Sequence, residues 1–171
     1  MLLRYNTDGS LDESFNSTGK VITDIGTGSS DFAQTIAVQN NGKILVAGYS
    51  DAAGSFDFVL ARYNRDGSLD MSFNSTGKVI TGISSNSTDI GKSIALQSDG
   101  KIIVGGYSSV GASFDDFTLV RYNTDGSLDV SFNSTGKVTT DISNGSKDSL
   151  FAITIQNNEN IFAAGNQDFV T

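Results

Sequence analysis

The stretch SIALQSDGKIIVGGYS, residues 93–108, decides the fold. Ile94 and Leu96 flank a small residue, as in a strand with one apolar face, and the pair Asp99-Gly100 predicts a tight hairpin turn. The return strand, KIIVGGY, is apolar at consecutive positions, so both of its faces must be covered. A hairpin whose second strand is buried on both sides predicts a sheet stacked between neighbouring sheets.

This stretch belongs to a unit that repeats along the chain. It is matched by TIAVQNNGKILVAGYS from Thr35 and, more divergently, by ITIQNNENIFAAGN from Ile153. A second block, RYNTDGSLDESFNSTGKVIT from Arg4, recurs from Arg62 and from Arg121 at intervals of 58 and 59 positions. No stretch has a helical periodicity that outweighs these strands. Four short strands per unit, joined by Gly/Ser/Asp loops, predict the four-stranded blade of an all-β propeller, with three blades' worth per chain.

The repeated blocks resemble the bacterial delta-sixty repeat. The resemblance is carried by the patterns ARYN-x-DGSLD-x-SFN-xx-GKV and I-A-x-Q-x-DGKI-x-V-x-GY, which together span essentially the whole chain. That repeat is regarded as a β-propeller blade of unknown function, so the resemblance implies one blade per unit. It implies neither a catalytic residue nor a ligand.

Four strands per unit define the expected organisation of the chain. We name them A to D from the propeller axis outward: A is SIALQ, B is KIIVGGY, C is FTLVRYN and D is GKVTT. The chain then opens inside a strand C and stops, at 168–171, with the beginning of another, so that Val170 and Thr171 correspond to Met1 and Leu2. The expectation is a single propeller repeat domain over 1–171, divided into the C and D strands of a split blade (1–27), two full blades (28–86 and 87–145) and the A and B strands of a split blade (146–171).

Three blades fall below the usual range of about four to eight. We therefore expect the C and D strands of one chain to complete the A and B strands of a second, which gives a six-bladed homodimer by strand exchange. The competing interpretation is a fragment of a longer repeat array. The last unit has Glu159 and Asn166 where the others have Gly and Tyr, and such drift is typical of a terminal repeat.

Composition argues against several classes of function. The net charge is −8 with no basic run, which is unlike a protein that binds nucleic acid or an anionic membrane. The chain has no cysteine and no histidine, so thiolate and imidazole chemistry is absent. There is no visible signal peptide and no long apolar window. We expect a soluble protein, cytoplasmic if the chain is complete, and surface-exposed or secreted if it is a fragment of a longer bacterial protein.

The segment N-x-D-G-S-L-D, which begins at Asn6, superficially resembles a calcium loop. Aligning the EF-hand glycine with Gly9 places the first ligand on Arg4, and a guanidinium does not bind a cation. We therefore interpret the segment as a tight turn in which a repeated Arg pairs with a repeated Asp, while a repeated Phe and a repeated Tyr pack between blades. The structural residues are Arg4, Arg62, Arg121, Asp12, Asp70, Asp129, Phe15, Phe73 and Phe132, with Tyr5, Tyr63 and Tyr122.

The loops that differ between units are the better candidates for binding, because propellers usually bind through the loops of one face. The D-to-A and B-to-C connections share that face and are rich in aspartate. These carboxylates are candidates for a Ca²⁺ site or, with loop hydroxyls, for binding a glycan or a protein. The candidates are Asp24, Asp31, Asp51, Asp57, Asp89, Asp115, Asp116, Asp141 and Asp148.

The sequence thus predicts a non-catalytic binding or structural scaffold, with no catalytic residue, no cofactor and a second copy of the chain as partner. Two alternatives stay open. One is a carbohydrate-active propeller enzyme that uses paired loop aspartates, and the other is a calcium-dependent surface adhesion module. Against catalysis, the chain has no Trp to form a sugar platform, and no acid stands in an apolar setting that would raise its pKa.

Overall fold

The structure, a computed structural model, describes residues 1–110, 114–143 and 145–169. The regular structure of these residues consists of twelve β-strands. No helix that is long and apolar enough to span a membrane occurs among them. The strands are β1 (Leu2–Leu3), β2 (Lys20–Val21), β3 (Asp31–Val38), β4 (Ile44–Ser50), β5 (Asp57–Tyr63), β6 (Lys78–Thr81), β7 (Ser87–Leu96), β8 (Ile102–Val110), β9 (Asp116–Tyr122), β10 (Lys137–Thr140), β11 (Ser146–Ile155) and β12 (Ile161–Phe169).

The strands form two complete and two partial antiparallel sheets. One complete sheet has the order β3-β4-β5-β6 and the other the order β7-β8-β9-β10, so each runs from A to D in chain order. The partial sheets are the pair β1-β2, which are C and D strands, and the pair β11-β12, which are A and B strands. Four-stranded meanders of this kind confirm the predicted all-β, blade-based fold class.

Tight turns connect strands A and B in all three units. Gly42 and Gly100 occupy the left-handed region in the two complete blades, with φ of 79° and 85°. In the last unit Glu159 takes the same conformation, with φ of 68°. A side chain is strained in this region, so the glycines fit the turn better than Glu159 does.

The core lies between the stacked sheets. Leu45 and Leu60 of the first complete blade pack in one buried cluster with Ile102 and Val104 of the second. A second cluster joins the β1-β2 pair to the first complete blade, and β11 lies against β7 and β8. The consecutive apolar residues of strand B are explained by this stacking, since alternate side chains enter the interfaces on opposite sides of the blade.

The end of the chain differs from the sequence expectation. Asp168 and Phe169 do not begin a strand C, because they belong to β12 and face Lys147 and Ser146 of β11. Strand β11 starts at Ser146, well before the expected ITIQ segment. Its early residues pair with the end of β12, so strand B continues through residues that were expected to form a B-to-C loop. The expected correspondence of 170–171 with the first residues lies outside the described residues.

Candidate functional site

The loop face is the end of the sheets that carries the D-to-A connections (22–30 and 82–86) and the B-to-C connection (51–56). The strand register places these connections together, because Ser50 faces both Asp31 and Asp57 across the first complete blade. Asp31 and Asp57 therefore lie at the same end of one blade, although they are distant in sequence.

Three of the candidate aspartates hold the D-to-A loops in place. Asp89 is fully buried and accepts hydrogen bonds from the Ile83 N–H (2.7 Å) and from the hydroxyls of Ser87 (2.9 Å) and Ser108 (2.5 Å). Corresponding bonds reach Asp31 from Ile25, Ser29 and Ser50, and Asp148 from Ile142 and Ser146. The Ser-x-Asp spacing that opens each strand A is the sequence signal that could have identified this role.

The bonds to Asp31 affect its acidity. Burial alone would raise the pKa of Asp31, but the Ile25 N–H and the hydroxyls of Ser50 and Ser29 stabilise the carboxylate and lower the pKa below its ordinary value. Asp31 is therefore charged at neutral pH, and its carboxylate oxygens already accept hydrogen bonds from the loop that it supports.

Asp57 starts strand C and lies near a buried carboxylate of the next blade. It is only 6% exposed, and Asp89 is fully buried. Burial raises the pKa of Asp57, and the charge of Asp89 raises it further, while Lys137 partly offsets both. The expectation that no acid has a raised pKa is wrong for this residue, because the effect depends on blade stacking.

The equivalent position in the second complete blade belongs to a group of three carboxylates. Carboxylate oxygens of Asp116, Asp141 and Asp148 all lie within 4.8 Å of one another. Burial raises the pKa of Asp116, and the charges of Asp141, Asp148 and Asp115 add to this effect. Such oxygens are the ligands that Ca²⁺ prefers, but Asp148 is already bonded to its loop, so calcium binding here stays a prediction.

The other candidates lie outside this group. Asp24 is exposed, and the Asp51 carboxylate accepts a hydrogen bond from the Ser30 N–H (2.7 Å). The Asp115 carbonyl oxygen accepts a hydrogen bond from the Asp148 N–H (2.6 Å), which ties two blades together. Asp141 corresponds to Gly82, so the three-carboxylate group occurs only once among the described residues.

The repeated Arg, Asp and Phe residues form the same contacts in each copy. In the second copy Arg62 Nε lies 2.6 Å from Asp70 and the guanidinium lies 4.3 Å from the centre of the Phe73 ring. Burial would raise the pKa of Asp70, but hydrogen bonds from Lys43, Ser72 and Arg62 hold it well below its usual range. The other two copies have Arg4 with Asp12 and Phe15, and Arg121 with Asp129 and Phe132. This geometry leaves the arginine no role in a cation-binding loop.

Asp57→Asn is expected to stabilise the protein at neutral pH. Because the pKa of Asp57 is raised in the folded state, the folded protein disfavours the charged carboxylate. The free energy of unfolding therefore decreases as the pH rises from about 4 through the pKa of Asp57 in the folded protein. The amide removes this penalty and should raise the melting temperature by roughly 2–4 °C at pH 7, the shift that about 1 kcal/mol produces in a chain of this size. Differential scanning calorimetry between pH 3 and 8 measures the effect.

The matched control is Asp24→Asn, which makes the same charge change at an exposed position of the loop face. It should leave the melting temperature unchanged. A loss of stability in Asp57→Asn at pH 7, or a gain that persists below pH 4, would contradict the assignment.

Three segments of the chain, residues 2–15, 39–73 and 97–132, match the sequence model of a family described as a domain of unknown function (DUF5122) beta-propeller. No curated protein matches the chain. The longer segments run from the A-to-B turn of each complete blade to the turn that follows strand C. The match and the four-stranded sheets together identify the chain as a β-propeller repeat protein that is similar to this family of unknown function.

Proposed function

We propose that the chain is a non-catalytic β-propeller scaffold that a second copy completes into a six-bladed ring. The C and D strands β1 and β2 of one copy would join the A and B strands β11 and β12 of the other. The observation that supports this most is a set of contacts between blades that recurs within the chain. Each contact also has two unused complementary members, one in a complete blade and one in a partial blade.

The first of these contacts is a phenylalanine packed on a glycine of the next blade. Phe73 is fully buried, and its ring lies so close to Gly126 that an added Cβ would come within 2.9 Å of it. The next equivalent, Phe132, is only partly buried, while the space at Gly9, the equivalent glycine, is open. Gly9 of a second copy would therefore provide the surface that Phe132 lacks.

The second contact is a backbone hydrogen bond beside the same turn. The Asn74 N–H donates to the Asp125 carbonyl oxygen at 2.7 Å. Asn133 and Asp8 are the equivalent donor and acceptor, and neither makes this bond within the described part of the chain. Joining two copies would pair them.

The third contact is a hydrogen bond from tyrosine to the preceding blade. The buried Tyr122 hydroxyl lies 2.9 Å from Thr81 Oγ1. The equivalent Tyr5 is 60% exposed, and the equivalent of Thr81 is Thr140 at the end of β10. In the proposed ring Tyr5 of one copy would be buried beside Thr140 of the other.

The exposed apolar faces are complementary in the same way. Val38 is 64% exposed and Phe162 is 58% exposed, whereas their equivalents Leu96 and Leu45 pack together between the complete blades. Exposed apolar surface of this kind is typical of an interaction site. Ring closure would bring Phe162 of one copy against Val38 of the other.

A non-catalytic role is supported by the accessibility of the paired acids. Asp57 and Asp89, whose charges interact, are 6% exposed and fully buried, respectively. In the group of Asp116, Asp141 and Asp148, the fully buried Asp148 is already bonded to its loop. A glycosidic bond cannot reach a pair of acids that lies inside a blade interface. We therefore propose a scaffold rather than a carbohydrate-active enzyme.

The solution mass tests the ring. Sedimentation equilibrium should give twice the 18.0 kDa of one chain. A variant with Leu3→Cys and Ala163→Cys should also form a covalent dimer on oxidation, because these positions are equivalent to the facing pair Val46 and Ala61. The native chain has no cysteine, so no other disulfide competes.

The matched control combines Leu3→Cys with Ala164→Cys, one residue further along β12, where the side chain points to the other face of the sheet. This variant should cross-link poorly. A mass of one chain, or equal cross-linking of both variants, would contradict the proposed ring.

A further inference from the structure

Each strand D begins with a lysine, and in two of the three units this lysine contacts the preceding D-to-A loop. Lys137 of the second complete blade donates a hydrogen bond to the Gly82 carbonyl oxygen (2.6 Å). Lys78 of the first complete blade donates to the carbonyl oxygens of Asp24 (2.9 Å) and Ile25 (3.2 Å). Gly82 and Asp24 are equivalent positions. The contact therefore recurs at two successive junctions between blades.

The third of these lysines is Lys20 in β2, which is exposed. Its ammonium forms no ion pair within the described part of the chain. The third D-to-A loop, which follows β10, has Asp141 where the others have Gly82 and Asp24. In the ring proposed above, Lys20 of one copy and Asp141 of the other would be the equivalents of Lys137 and Gly82.

Asp141 belongs to the three-carboxylate group, in which oxygens of Asp116, Asp141 and Asp148 lie within 4.8 Å of one another. Asp148 is fully buried and accepts from the Ile142 N–H (2.7 Å), but Asp116 is half-buried and Asp141 is exposed. None of the three carboxylates forms an ion pair with a lysine or arginine of the described residues. An ammonium that arrives from outside the chain can therefore reach two of them.

The junction between the two complete blades shows what a lysine does beside such carboxylates. Asp57 and Asp89 are there the equivalents of Asp116 and Asp148. Burial raises the pKa of Asp57 and the Asp89 charge adds to the effect, while Lys137 offsets part of both. Burial and the neighbouring carboxylates also raise the pKa of Asp116, and no lysine of the described residues offsets them. The junction after the second complete blade thus has one carboxylate more and one lysine fewer.

We propose that Lys20 of one copy binds the three-carboxylate group of the second copy, where its ammonium donates to the Asp141 carbonyl oxygen and pairs with the carboxylates of Asp116 and Asp141. The proposal rests on the six-bladed ring and adds a charged contact to the junction between copies. Because Asp141 replaces the uncharged Gly82, this junction attracts a lysine more strongly than the junction within the chain does. Charge as well as packing then favours the correct pairing of copies.

Lys20→Met tests the contact, because it keeps most of the side chain and removes the ammonium. Association should weaken by roughly a hundredfold, the effect of losing one hydrogen bond between charged groups at each of two junctions. Sedimentation velocity over a range of protein concentrations measures this change. Association of the variant should also depend less on the salt concentration than association of the native chain, since salt screens charged contacts.

The matched control is Lys147→Met, which removes the same charge from another exposed strand residue. The equivalents of Lys147 are Ser30 and Thr88, which are uncharged, so no contact between blades uses a lysine at this position. Association of this variant should equal that of the native chain.

Exchanging the charges is a second test. Lys20→Asp and Asp141→Lys should each weaken association at least as much as Lys20→Met, because like charges would face each other across the junction. The variant with both changes should associate at least about tenfold more tightly than either single variant, since the pair is restored with its signs reversed. Both positions are exposed, so the far-UV circular dichroism of all three variants should match that of the native chain.

The proposal is overturned if Lys20→Met associates as tightly as Lys147→Met, or if the double variant recovers none of the loss. A native mass of one chain would remove the ring itself. A two-chain mass with association that Lys20→Met leaves unchanged would remove only the lysine contact, so the two failures are distinguishable.

Discussion

Phe132→Ala is expected to separate the proposed two-chain ring into single chains without unfolding the blades. Within one chain Phe132 is only partly buried, whereas its equivalents Phe15 and Phe73 are fully buried against the next blade. In the ring the alanine would leave a cavity over Gly9 of the other copy. A cost of about 2 kcal/mol at each of two interfaces weakens association roughly a thousandfold. Sedimentation velocity over a range of protein concentrations measures this shift.

Val130→Ala is the matched control for this prediction. Val130 lies two residues before Phe132 and is exposed, and its equivalent Met71 remains exposed although a complete blade follows it. Removing the Val130 side chain should therefore leave association unchanged. If Phe132→Ala and Val130→Ala have the same mass as the native chain, Phe132 does not lie in an interface between copies.

The blade could be predicted from short-range patterns because each one has a local physical cause. The pair Asp99-Gly100 needs a left-handed turn, which the structure places at Gly100 with φ of 85°. The consecutive apolar residues Ile102, Ile103 and Val104 require cover on both faces, and all three are fully buried. Neither inference needs to know which blade lies beside which.

The strand boundaries were less predictable because polar residues can pair as well as apolar ones. Strand A was expected at Ser93, yet β7 begins at Ser87 and includes a bulge between Gly91 and Ser93. The residues Ser-Thr-Asp at its start are typical of a loop. Their backbone groups nevertheless bond to β8, and the same effect at the start of β11 explains the error over Asp168 and Phe169.

The properties of the site depended on contacts that the linear sequence does not contain. Asp57 and Asp89 are both loop aspartates in the sequence, but stacking makes Asp89 a support for its loop and gives Asp57 a raised pKa. The contact between the A-to-B hairpins of adjacent units is a similar case. Gln97 and Glu159 are 62 positions apart, and only the packing of adjacent blades brings them together.

Phe73→Ala is expected to destabilise the protein more than any of the other substitutions, by about 3–5 kcal/mol in the free energy of unfolding. Phe73 is fully buried in the cluster that joins the two complete blades, with the Arg62 guanidinium over its ring and Gly126 against its edge. The alanine would remove this packing and leave Arg62 beside a cavity. Urea denaturation followed by far-UV circular dichroism measures the loss, since the chain has no tryptophan.

Two further substitutions separate the packing of Phe73 from other effects of mutating this turn. Met71→Ala changes an exposed side chain in the same turn and should alter stability by no more than about 0.5 kcal/mol. Phe73→Leu keeps much of the buried volume and should recover part of the loss. A loss below about 1 kcal/mol for Phe73→Ala would mean that Phe73 is not a principal contact between blades. The Phe132 contact inferred between copies would then lose its support, because that inference rests on the equivalent Phe73–Gly126 contact within one chain.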